Sequence, residues 1–193
     1  MKAPALIVID MLNDFLRAFE PSARERLLRS TNELIAIVRS CARPVIFVRQ
    51  QFRADLSDAF LEMRRKGIRT TIEGTSGCEI AAELAVDPDD TVVVKKRYSP
   101  FHGTDLDDVL ARLEPDGLIL AGINTHACVR MAAIDAYQRD WDVIVAADCV
   151  DSYDRAHHDI SLRYLKDKIA AVMSNAEIGG MLGLPVARLR PIE

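Results

Sequence analysis

Six short apolar runs alternate along this chain with longer segments whose apolar residues recur every three or four positions. The runs are Ala5–Asp10, Pro44–Val48, Thr91–Lys95, Gly117–Ala121, Trp141–Ala147 and Ile169–Met173. Their length and their Val/Ile/Leu content read as buried strands. Between them, Leu27, Leu28, Leu34, Ile35 and Val38 repeat at helical spacing and predict a helix over Pro21–Ala42, with Ser22 as its N-cap. Further helices are expected from Thr104, a cap, to Leu113, over Asn124–Arg139, over Tyr153–Lys168, and from Ser174, again a cap, to Leu182. The region Arg49–Gly77 carries no long period; a short helix over Ser57–Lys66, the turn Glu73–Gly77 and another short helix near Cys78–Leu84 are expected there.

Strands alternating with helices imply βαβ units, hence an α/β fold. Uniformly apolar strands are buried on both faces, so a mainly parallel six-stranded sheet between two helical layers is expected, a three-layer αβα sandwich. In such a sheet ligands bind beyond the carboxyl ends of the strands. Those ends carry Asp10, Lys95 and the turn Gly122–Cys128, which places three reactive side-chain types on one rim.

Composition narrows the field. The 193 residues suffice for one sizeable core and are few for two ordinary domains, so one domain over residues 1–193 is expected. With 49% apolar and 28% charged residues the balance is that of a globular protein. A net charge of −4 without a basic block disfavours nucleic acid and anionic membrane as partners. No apolar run reaches membrane-spanning length, and the first ten residues lack the pattern of a signal peptide. Cys41, Cys78, Cys128 and Cys149 are widely spaced, with no Cys-x-x-Cys pair, so reduced thiols in a cytoplasmic protein are expected. Cys41 and Cys149 read as small apolar fillers.

Cys128 differs, because it lies where the fourth strand hands over to a helix. Unpaired N–H groups and the helix dipole at such a start favour a thiolate. A cysteine attacking an amide needs a base, an oxyanion site and a proton for the leaving nitrogen. Asp10 can shuttle the proton, Lys95 can hold Asp10 and favour the thiolate by its charge, and the backbone N–H groups of Asn124–Cys128 can face an oxyanion. Taken singly, each has a plainer reading: Asp10 as a loop acid, Lys95 and Lys96 as solvated strand-end lysines, Cys128 as a core filler.

Taken together, the segments resemble the isochorismatase-like cysteine hydrolase family. They are Asp10-Met11-Leu12-Asn13-Asp14-Phe15; Lys95-Lys96-Arg97-Tyr98-Ser99-Pro100-Phe101 followed by Thr104-Asp105-Leu106; Gly74-Thr75-Ser76-Gly77; and Gly122-Ile123-Asn124-Thr125-His126-Ala127-Cys128-Val129. The resemblance spans roughly Ala5 to Gly180. It implies an Asp–Lys–Cys triad at Asp10, Lys95 and Cys128, with Lys95 selected over Lys96 by the Lys-x-Arg-Tyr register. It also implies a non-proline cis peptide at Ile123–Asn124, orienting the amides of Asn124 and Cys128, and a homodimer or homotetramer with sites near subunit contacts; the Asp10, Lys95 and Cys128 chemistry itself needs no cofactor.

The departures are informative too. Leu12 stands where the family often has Gln, and Ala132 where Thr often follows the Cys; both bear on packing or substrate fit. The nicotinamidase branch binds a metal through Asp-x-His after the second strand, whereas Arg49–Asp55 here has no His, so no metal is expected and nicotinamide is disfavoured. Isochorismatases proper cleave a vinyl ether and usually lack the Cys, so Cys128 argues for a small amide or ureide as substrate. Phe15, Arg97, Tyr98, Phe101 and His126 are the candidates for shaping its pocket; His102 could touch substrate, and His157 and His158 are expected to be solvated. His126, two residues from Cys128, diverges from it on a helix and makes a poor dyad partner. The rivals are an ether hydrolase using Asp10 without Cys128, a non-catalytic binding module, and thiol redox chemistry, the last disfavoured because no resolving Cys lies near Cys128 in sequence.

Overall fold

The computed structural model describes residues 1–184. Six strands form one all-parallel sheet: β1 Ala5–Ile9, β2 Val45–Gln50, β3 Thr91–Lys95, β4 Leu118–Ile123, β5 Val143–Asp151 and β6 Ala171–Met173. Their order across the sheet is β3-β2-β1-β4-β5-β6, so the chain reverses its direction of travel between β1 and β4. That is the switch point at which the strand ends splay and leave a crevice.

Strand periodicity sorts the side chains into two cores. Ile7, Ile9, Val93 and Leu120 face α4 (Leu106–Leu113), α5 (Arg130–Tyr137) and α6 (Arg155–Lys168). Leu6, Val8, Phe47 and Ile119 face α2 (Pro21–Ser40), α7 (Asn175–Met181) and the short α1 (Asn13–Leu16). The α/β reading and its covered sheet are therefore correct. A small third cluster, Phe52, Leu56, Ala59, Met63 and Ile72, holds together the irregular stretch after β2, which contains α3 (Leu61–Lys66).

Several expected boundaries shift. Pro21 opens α2 after Glu20, so Ser22 lies inside the helix and does not cap it; proline's fixed φ suits that first position. Asp105 occupies the position before α4, and Thr104 helps from one residue earlier, its hydroxyl accepting from the Leu106 N–H at 3.2 Å. The helix expected at Cys78–Leu84 is absent; only a 3-10 turn, Ser76–Cys78, forms, and Leu12 and Ile80 pair there as an antiparallel bridge instead. Strand β5 runs four residues past Ala147, because its register against β4 jumps between Leu120 and Gly122. Ser174 does cap α7, in a reciprocal capping box with Glu177.

Candidate active site

Gly122 explains how the ends of β1 and β4 come so close. It pairs with Ile9, its φ is +123°, and a Cβ there would run into the Ile9 carbonyl. Only glycine meets both demands. Immediately beyond Ile9, Asp10 adopts φ +54° and is fully buried. A non-glycine residue in that region usually costs about 1–3 kcal/mol and persists where surroundings fix it. Here the Val48 carbonyl accepts from the Asp10 N–H at 2.9 Å, and Asp10 Oδ1 accepts from the Gln50 N–H at 2.9 Å.

Lys95 ends β3, two strands from β1, about 10 Å away at ordinary strand spacing. Its long side chain crosses the end of β2 and places Nζ 2.6 Å from Asp10 Oδ2 and 3.4 Å from Cys128 Sγ. Two further acceptors satisfy the ammonium, Arg97 O at 3.1 Å and Gln50 Oε1 at 3.4 Å. Lys95 and Asp10 are both 0% exposed and Cys128 is 5% exposed. Three groups from distant segments thus meet in one desolvated cluster. Lys96 points elsewhere, to Asp58 Oδ2 at 3.0 Å and the Gln51 carbonyl. Burial disfavours the Lys95 ammonium, but the Asp10 carboxylate first, and then the Cys128 sulfur, outweigh it and hold Lys95 above its usual range.

Cys128 sits in a π turn, Thr125–Val129, rather than at the start of an α-helix. The Ile123–Asn124 peptide before it is cis. The Asn124 carbonyl closes the turn by accepting from the N–H groups of Ala127 at 3.0 Å and Val129 at 3.3 Å. The expectation that a helix start favours the thiolate is reversed. Burial first, and then the Asp10 carboxylate, push the Cys128 thiol well up, with Lys95 only partly opposing them.

The other expected pocket residues divide. Phe101 is 4% exposed, belongs to the α4–α6 core and lies under the Arg139 guanidinium at 4.5 Å, so it is core rather than pocket wall. Phe15 is half-buried against the α2 core. Arg97 is folded back, donating to Asp58 O at 2.9 Å and lying 5.1 Å from the Phe60 ring centroid. Tyr98, 50% exposed, packs on Phe60, and burial first, then the Cys128 sulfur, push its phenol up. His126 is half-buried, meets the edge of Tyr153 at 5.4 Å and contacts Ser152 Oγ through Nδ1 at 3.0 Å. His102 is exposed in the loop after β3. His157 is exposed and paired with Asp154, as a solvated residue would be, but His158 is buried, 4% exposed. The helix repeat alone does not tell these adjacent histidines apart; α6 turns the second one inward.

Gln50 went unnoticed in the sequence. Its N–H fixes Asp10, its amide oxygen meets Lys95, and it lies opposite Lys95 in the β2–β3 register. A polar residue ending an apolar strand between two strands that end in reactive groups was the available signal. Farther out, a carboxylate organises the long loop: Asp14 Oδ2 accepts from the Thr71 N–H at 2.8 Å, and a Cβ on Gly77 would occupy the place of that carboxyl group. A groove of about 630 Å³ along α2, lined in part by Arg24, Leu28, Asn32 and Glu83, contains none of the residues of the Cys128 cluster. Among the described residues no three His, Cys, Asp or Glu side chains gather as metal ligands would, and no helix is long and apolar enough to cross a membrane.

A family model for the isochorismatase domain matches residues 4–177. The chain belongs to the isochorismatase family. It is a hydrolase of that family. Phenazine biosynthesis protein PhzD1 of Pseudomonas aeruginosa is 31% identical over 180 residues, covering 90% of this chain and 83% of that protein. Among solved structures, an isochorismatase family protein from Desulfovibrio vulgaris superposes with a TM-score of 0.85 at 28% identity, covering 95% of this chain and 100% of that one. N-carbamoylsarcosine amidase from Thermoplasma acidophilum superposes with a TM-score of 0.76 at 30% identity, covering 90% and 96%.

Proposed function

We propose that this hydrolase cleaves the C–N bond of a small amide or ureide through a thioester on Cys128. The reading rests on one observation above the rest: Cys128 Sγ lies 3.4 Å from an ammonium that is itself 2.6 Å from the buried carboxylate of Asp10. In the reaction Asp10 takes the thiol proton as Sγ attacks the carbonyl carbon. Lys95 keeps its proton and offsets the negative charge passing between sulfur and carboxylate. The N–H groups of Asn124 and Cys128 are assigned to the oxyanion. Asp10 then returns its proton to the leaving nitrogen, and the C–N bond breaks to give amine and thioester. Water, deprotonated by Asp10, attacks the thioester and releases acid and thiol. Raising the thiol's pKa fits this scheme, because the thiolate forms only as the substrate arrives.

The rim favours an uncharged substrate. Of the cations next to Lys95 in sequence, Lys96 is paired with the Asp58 carboxylate, and Arg97 donates to the Asp58 backbone carbonyl and lies against Phe60. Phe60, Tyr98 and Tyr153 supply aromatic surface. An ether substrate bearing carboxylates would find little to hold it. The name of the Thermoplasma neighbour, an amidase, points the same way. The four free cysteines fit a reducing compartment, and we place the protein in the cytoplasm. Met131, Tyr137, Ile160 and Tyr164, exposed on α5 and α6, supply apolar surface for the homodimer or homotetramer that the reading includes.

The test is ammonia release from a panel of small primary amides and ureides by the wild-type protein and Cys128→Ala. Turnover that falls by at least ~10³-fold in the variant supports the thioester route. Turnover that survives in Cys128→Ala, or a vinyl ether as the preferred substrate, overturns it.

A further inference from the structure

The Cys128 turn has little of its own to hold it. A π turn closes wider hydrogen-bonded rings than an α-helix and is rare outside functional sites. Here both the Ala127 and the Val129 N–H converge on the single carbonyl of Asn124. The braces come from another part of the chain. Ser152, just after β5, contacts His126 through the backbone N–H at 3.4 Å and the ring at 3.0 Å. From the first turn of α6, His158 Nδ1 lies 2.9 Å from Thr125 Oγ1. Thr125 is the first residue of the turn, is 0% exposed, and stands in the same five-residue turn as Cys128. A hydroxyl buried so completely needs a partner, and His158 is the partner it has. His158 in turn is sealed, with Asp151 Oδ1 3.8 Å from the same nitrogen.

We propose that His158 is a positioning residue for Cys128, acting through the Thr125 hydroxyl: it fixes the first residue of the turn and so keeps Sγ beside Lys95 and Asp10. It touches neither substrate nor sulfur. This assignment rests on the reading of Cys128 as nucleophile. The tolerance is narrow, because displacing a reacting atom by about 1 Å costs on the order of 100-fold in rate.

Iodoacetamide tests it without a known substrate, since it is a small primary amide that alkylates thiols. The rate of Cys128 alkylation is followed by peptide mass spectrometry at pH 7, with Cys149 as internal reference. His158→Ala and Thr125→Val should each slow Cys128 at least ~10-fold. The double variant should be no slower than the slower single variant, because both changes remove one contact. His158→Asn, whose amide can stand in for Nδ1, should recover the rate to within about 3-fold of wild type. Circular dichroism melting establishes that each variant is folded; if His158→Ala is not, Thr125→Val and Thr125→Ser carry the same comparison, the serine restoring the hydroxyl. Wild-type or faster alkylation in His158→Ala and Thr125→Val, or losses that multiply in the double variant, overturns the proposal. Wild-type Cys128 that alkylates no faster than Cys149 instead removes the nucleophile reading on which it rests.

Discussion

Cys128 and Cys149 are both buried thiols, on opposite sides of one sheet. Burial pushes both up, Cys149 to about 12. Their neighbours differ. Cys149 Sγ lies 3.2 Å from both Ser30 O and Asn175 Oδ1, and its one S–H can point only to neutral acceptors there. Cys128 meets an ammonium at 3.4 Å, and a carboxylate shares that ammonium. Desolvation alone makes a cysteine inert; desolvation beside a group that can take the proton makes it conditionally reactive. The contrast also separates two uses of a polar contact. Around Cys149, Asn175 ties α7 to α2 through Ser30, which holds the fold together. Around Cys128, on the proposed reading, the same kind of contact positions a sulfur.

Lys95→Met should damage the Cys128 side most. It leaves Asp10 charged, buried and without its counter-ion, which costs about 3–5 kcal/mol of stability, read as a fall in the urea midpoint. Cys128 alkylation should slow by at least ~100-fold, the scale expected when a charged partner of a reacting group is lost. Alkylation at the wild-type rate would make Cys128 another Cys149 and erase the distinction. A smaller effect appears with pH. Lys95 binds its proton more tightly folded than unfolded, so its stabilisation is complete below the ordinary lysine range near 10.4 and declines as pH rises beyond it toward the folded value. The stability gap between wild type and Lys95→Met should therefore narrow above about pH 10.4 in urea titrations. A gap that widens there would contradict the ion pair. The smallest change is expected at Cys149→Ala, which should lose about 1–2 kcal/mol through a broken buried hydrogen bond and keep alkylation of Cys128 within twofold of wild type.

Much of this was legible along the chain because strand periodicity and reactive residues coincide. Asp10, Lys95 and the Cys128 turn each follow an apolar run, and parallel strands carry such ends to one rim. What escaped was set by long-range geometry. Gln50 and His158 look like ordinary polar residues until the β2–β3 register and the rotation of α6 bring them inward. The π turn looks like α-helix in sequence because its apolar spacing differs by only about one residue per turn. The length of β5 depends on a register jump against β4 that no local pattern encodes. Cys78–Leu84 has helical composition, but the antiparallel bridge between Leu12 and Ile80 overrides it. Phe101 was an aromatic residue in a site-adjacent loop, and packing on α4 and α5 claimed it.

Lys95 belongs to β3, which lies at the border of the sheet with β2 as its one strand neighbour. The outward valines of that strand, Val92 and Val94, remain 42% and 36% exposed. The ammonium beside the Cys128 sulfur is thus mounted on one of the two edge strands of the sheet. Edge strands open more readily than central ones, so fraying of β3 on warming is expected to part Lys95 from Asp10 and Cys128 before the central strands separate. On the proposed reading of Cys128, activity is then expected to fail at a lower temperature than the fold, at the margin of the sheet.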